Sequence, residues 1–159
     1  MLLEQPDRQH WQAAAGYVEL SMFLEADMEL DKIDPFNRAA PEVLAIRLAI
    51  YRGLQKWELM REIAKRLADF QPNEIQWTIS LAYASRRADS IQAAKELLLN
   101  AEPKFPTEAA IKYHLACYFC QTGAIKTAKN YLKKAFEINL NWRVAALEDA
   151  DLQPIWDSI

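Results

Sequence analysis

The chain is short of the residues on which small-molecule chemistry usually rests: its 159 residues hold three Gly, two Cys and two His. Three glycines cannot furnish a Gly-rich loop whose backbone cradles a phosphate. Two cysteines, Cys117 and Cys120, are no disulfide framework, and reduced thiols are expected. A surplus of positive charge is also missing, with 19 Lys and Arg against 22 Asp and Glu. A nucleic-acid groove needs basic residues gathered on one face, so nucleic acid is excluded as a partner. No apolar run approaches the roughly 20 residues of a membrane span, and Glu4, Pro6, Asp7 and Arg8 break up the opening residues. A cytoplasmic protein that does not engage membrane is expected. A chain of this length buries enough surface on folding to need no staple.

What the sequence does have is self-similarity. Pro72 and Pro106 lie 34 residues apart, and the same offset joins Leu81 to Leu115, Leu98 to Leu132, Ala82 to Ala116, Ala94 to Ala128 and Ala101 to Ala135. Stepping back by the same interval leads to Leu48, Met60 and Leu67, and then to Ala14, Ala26 and Ile33. Four units follow, 7–40, 41–74, 75–108 and 109–142, after a lead-in over 1–6 and before a tail over 143–159. Inside each unit apolar residues recur with a helical period in two blocks, so each unit reads as a helical hairpin. Pro41 suits a first helical turn, Asn73 and Thr107 are capping types, and Gly123 can take the left-handed conformation between two helices. Alanine at the repeated phases lets helices approach closely, so the first two units, with larger residues there, are expected to pack more loosely.

Leu115, Ala116, Phe119, Gly123, Ala128, Leu132 and Ala135 in the last unit, and Leu44, Tyr51, Trp57, Ala64 and Pro72 in the second, fall on signature phases of the tetratricopeptide repeat, which these units resemble. Arg47 stands where that family usually has Leu, and Arg38 where it has Pro. The resemblance implies an all-α, right-handed superhelical solenoid of about four helical hairpins closed by a C-terminal capping segment. In the tail, Leu147, Leu152, Ile155 and Trp156 are expected to cover the last hairpin while Glu148, Asp149 and Asp151 face water.

By the same resemblance, the first helices of successive units line a concave surface. Arg52, Gln76, Tyr83, Arg86, Arg87, Tyr113, His114, Cys117 and Gln121 take inward phases there. Aromatic rings mixed with guanidinium groups suit a peptide carrying acidic and apolar side chains, and Arg52 and Arg86 share one phase in adjacent units. Family members that clamp the carboxylate of chaperone tails use Lys, Asn, Asn, Lys and Arg at inward phases. Here those phases hold Ala45, Ala49, Ser80, Ala110 and His114 counted from the second unit, or Trp11, Ala15, Ile46, Gln76 and Ser80 counted from the first, and neither set matches, so that role is not expected.

Only His114-x-x-Cys117-x-x-Cys120 hints at chemistry. On one helix its outer members stand about 9 Å apart along the axis and about 120° apart around it, a poor zinc set that also lacks a fourth ligand. Asp149 and Asp151 lack a third oxygen donor. No metal, cofactor or catalytic residue is nominated. Residues 7–40 carry three basic and seven acidic groups, and residues 109–142 five basic and one acidic. Opposite ends of opposite sign make head-to-tail association of copies a further expectation. The leading expectation is a non-catalytic adaptor or scaffold that binds another protein through the concave face. A self-assembling structural subunit and a secretion-type holding chaperone are the alternatives.

Overall fold

A computed structural model describes residues 3–159, so residues 1 and 2 of the lead-in lie outside the described residues. Nine α-helices occur among them, and no strand. They are α1 (Asp7–Glu19), α2 (Phe23–Leu30), α3 (Pro41–Gly53), α4 (Trp57–Phe70), α5 (Ile75–Ala88), α6 (Ile91–Ala101), α7 (Ala109–Gln121), α8 (Ile125–Ile138) and α9 (Trp142–Glu148). A 3-10 turn, Glu102–Lys104, follows α6, and a 3-10 segment, Ala150–Ser158, follows α9. The chain divides into two compact units, Met1–Ala84 and Ser85–Ile159. No described helix is long and apolar enough to cross a membrane.

The 34-residue interval is written into the backbone hydrogen bonds. Between the two helices of each hairpin one N–H reaches back five residues: Met22 to Tyr17, Lys56 to Tyr51, Ser90 to Ser85 and Ala124 to Phe119, at 2.8 to 3.1 Å. Such a six-to-one bond closes a helix end whose carbonyls would otherwise lack donors. Before each next first helix another bond recurs, from Ala40 to Asn37, Glu74 to Gln71, Glu108 to Phe105 and Trp142 to Asn139, at 3.0 to 3.3 Å. The fourth member of this series leads into α9. That helix therefore starts as the first helix of a fifth hairpin and stops after seven residues.

The repeated phases form the core. Ala14, Leu48, Ala82 and Ala116 are buried, as are Ala26, Met60, Ala94 and Ala128, and also Ile33, Leu67, Ala101 and Ala135. The larger residues of the first two units, Ile33, Leu48, Met60 and Leu67, are buried among aromatic neighbours. Within the compact unit Met1–Ala84, Trp11, Tyr17, Phe23 and Tyr51 pack on one cluster, and Trp57, Trp77 and Tyr83 on a second.

The two departures from the family pattern are both used structurally. Arg47 donates to Asp27 at 2.9 Å and to Asp31 at 3.1 Å, fastening α3 to α2. Arg38 donates to the carbonyls of Ile33 and Asp31, serving the chain just beyond the end of α2. Buried Asp7 accepts from the Asp34 N–H at 3.0 Å and the Asn37 amide at 2.7 Å, which ties the start of α1 to the turn after α2. Helix α7 is entered through Glu108, one residue later than the Thr107 expected from its capping chemistry, and the Glu108 side chain makes no cap bond.

Candidate interaction site

Inward residues gather in two neighbourhoods, one in each unit. In the first unit Arg52, in the last turn of α3, lays its guanidinium 4.6 Å from the centre of the Tyr83 ring on α5. The Trp57 ring, at the start of α4, meets Tyr83 edge-on at 5.9 Å. Arg52 and Gln76 are exposed, while Tyr83 and Trp57 are half-buried. An exposed guanidinium over an aromatic ring can still offer N–H groups to a carboxylate.

In the second unit the inward row is covered by the chain's own tail. Tyr113 donates its hydroxyl to Asp149 Oδ2 at 2.7 Å, and the Cys117 thiol points at the same oxygen at 3.6 Å. Arg86 forks onto both oxygens of Asp151, and Gln121 Nε2 donates to the Asp151 carbonyl at 2.8 Å. The Trp142 ring stacks on Tyr113 with centroids 4.4 Å apart, and His114 meets both rings edge-on. Leu152 and Ile155 are buried, and Trp156 donates to the Ala146 carbonyl at 3.0 Å.

This arrangement corrects the expectation for the tail. Asp149 and Asp151 do not face water: both are half-buried and turned inward, because α9 ends after two turns and the backbone leaves it toward the donors of α7. Leu147, expected to cover the hairpin, is instead 51% exposed. Tyr113 and Cys117, expected on an open groove, are buried at 3% and 2% exposure. Arg87 and Gln121 stay exposed, and His114 is half-buried. Asp149 and Asp151 are the site residues that periodicity missed. Their signal is the carboxylate pair that falls just where a fifth unit breaks off.

Electrostatics follow from burial and pairing. The bond to Asp151 raises the Arg86 pKa, against the opposing effect of burial. Burial, then the bond to Asp149, pushes the Tyr113 hydroxyl well above its ordinary range. Burial, then the negative charges of Asp149 and Asp151, does the same to the Cys117 thiol. A thiol held protonated donates a hydrogen bond and is a poor nucleophile. Cys117, Asp149 and Asp151 do bring their ligand atoms within 4.8 Å of one another. In this arrangement the Asp149 oxygens accept from Tyr113, Cys117 and the Asp151 N–H, and those of Asp151 from Arg86. Of the trio that makes a poor zinc set, His114 meets aromatic rings edge-on and Cys120 is buried.

The acidic residues around α2 are also engaged. Asp27 and Asp31 hold Arg47, and Glu29 accepts from Lys32 and pairs with His10 Nδ1 at 2.8 Å. Outside those pairs, α2 and the residue preceding its turn carry an apolar stripe of Leu20, Leu24 and Met28, each at least 64% exposed.

The chain shares its fold with proteins of known structure. No protein-family model matches it, and no curated protein matches it. Solved structures do. One described as "MamA RS-1 ArsTM double mutant" superposes with a TM-score of 0.74 at 16% identity, over 87% of this chain and 79% of the other. A second, "MamA MSR-1 C2", gives 0.71 at 18% identity over 85% and 78%. A third, "MamA AMB-1 C2221", gives 0.61 at 14% identity over 84% and 78%. The fold is a tetratricopeptide-like array of helical hairpins. At such identities the likeness carries the fold alone.

Proposed function

We propose that this chain is a non-catalytic interaction scaffold that holds a peptide or helix of another protein on the inward face of its first helices, with Arg52, Gln76 and Tyr83 among the contacts. The observation that carries this reading is the exposed Arg52 guanidinium stacked on Tyr83 beside Trp57. Side chains of this kind dominate the energetics of protein interfaces. The second unit supports it: Arg86, at the phase of Arg52 one repeat later, grips the carboxylate of the chain's own Asp151.

A photo-crosslinking amino acid placed at Gln76 in the native cell tests the proposal. One discrete adduct is expected, lost in Arg52→Glu with helicity unchanged. An adduct pattern indifferent to Arg52→Glu would overturn it. A second reading, a self-associating structural subunit, is favoured by the exposed stripe Leu20, Leu24 and Met28. It predicts concentration-dependent oligomers in sedimentation velocity that Leu24→Glu abolishes. A monomer at all concentrations would remove it.

A further inference from the structure

We propose that the α7 face of the second unit is a receptor for an acidic peptide of the form Asp-x-Asp-Leu from a partner protein, and that residues 149–156 of this chain are its resident competitor. The inference rests on the reading of the inward row as a peptide-binding surface and names the peptide.

The contacts run one way. Tyr113, Cys117, Gln121 and Arg86 are all donors, and the tail presents to them only acceptors: Asp149 Oδ2, the Asp151 carbonyl and the Asp151 carboxylate. A bidentate guanidinium–carboxylate pair fixes one side chain, and the two donors on Asp149 fix the other two residues away. Leu152 at 0% and Ile155 at 2% exposure add the apolar anchors.

The tail's own backbone does not account for its shape. Ala150–Ser158 is a nine-residue 3-10 run with Pro154 inside it, whereas 3-10 runs beyond three or four residues are uncommon because their hydrogen bonds are poorly aligned. Its conformation is therefore imposed by the surface it lies on, as a bound peptide's is. At the strap's near end Val144 and Leu147 are exposed at 68% and 51%, and the preceding helix is held by buried Ala146 and by Trp142 on Tyr113. A tethered segment competes at an effective concentration of about a millimolar, so a partner peptide must make better contacts or meet a weakened strap.

The test uses the full chain and a fluorescent synthetic peptide with the sequence of residues 148–157. Fluorescence anisotropy should show no binding to the wild type at 100-fold below the effective concentration, roughly 10 µM. The strap variant Asp149→Ala/Asp151→Ala should bind at least about tenfold more tightly. Adding Arg86→Ala, or replacing both peptide Asp by Asn, should cost about tenfold or more. A folded strap variant that does not bind, or one indifferent to Arg86→Ala, overturns the proposal. So does a swapped dimer of the strap variant in light scattering, since the occupant would then be a second copy. Hydrogen exchange on the wild type covers the case in which the variant does not fold. Amides of 149–158 should exchange well before those of α7 and α8, and exchange only by global unfolding overturns the proposal. Peptide binding with the Gln76 adduct lost would fault the partner reading alone. An intact adduct without peptide binding would fault this inference alone.

Discussion

Ser21 and Gln55 hold φ at 57° and 56° in the turns where Gly123 holds 82°, so one left-handed turn is met three times and only once with the residue suited to it. A Cβ in that region costs about 1–2 kcal/mol, of which glycine's extra unfolded-state freedom takes back about half. Ser21→Gly and Gln55→Gly are each expected to raise stability by about 0.5 kcal/mol, and Gly123→Ala to lower it by about 1, read from denaturation midpoints. Asp7 carries a pH dependence. The Asn37 amide and then the Asp34 N–H hold its pKa below the ordinary 3.8. Because the folded-state pKa is the lower one, the stabilisation is present above the unfolded value and is lost as pH falls through the folded value. The melting temperature of the wild type should therefore drop more steeply below about pH 4 than that of Asp7→Asn. Equal slopes would remove Asp7 from the account.

Among elements, spacing decides what each position tolerates. A Cβ on Gly53, in the last turn of α3, would fall on the ring of Phe23 at the start of α2, so these elements meet over a bare backbone. Gly53→Ala is expected to displace that ring and cost about 1–2 kcal/mol by thermal melting. The alanine phases can be read directly as packing, and the buried residues at those phases show why the 34-residue interval recurs. Arg47 and Arg38 look like lapses in the pattern when taken as sequence. Their partners Asp27, Asp31 and the Ile33 carbonyl sit on or just beyond α2, and no period links them to α3 or to the turn before it.

For the whole molecule the tail matters most. Burying Leu152 and Ile155 contributes about 1.5–3 kcal/mol each, and the tail also covers Tyr113 and Cys117. Deleting 143–159 is expected to lower the melting temperature or cause aggregation, with partial recovery on adding the 148–157 peptide. An unchanged melting temperature would refute the cap. The same end also carries a groove of about 530 Å³ floored by Leu132, Phe136 and Ile155 and rimmed by Lys129 and Arg143, bounded on one side by the tail. Alanine phases, turn glycine and helical periodicity made the array legible because each is a local or strictly periodic requirement. The pairing of Arg86 with Asp151, 65 residues away, follows no period.

By itself the sequence determined the helices, the 34-residue interval and the buried phases, since these depend on side-chain size and on the 3.6-residue turn. Tertiary structure alone decided which of the candidate residues stay exposed. The tail reverses after α9 and places Asp149 and Asp151 on donors that α5 and α7 bring together. A carboxylate's environment depends on neighbours in space, so two aspartates that read as solvent-facing became the ligands of the row.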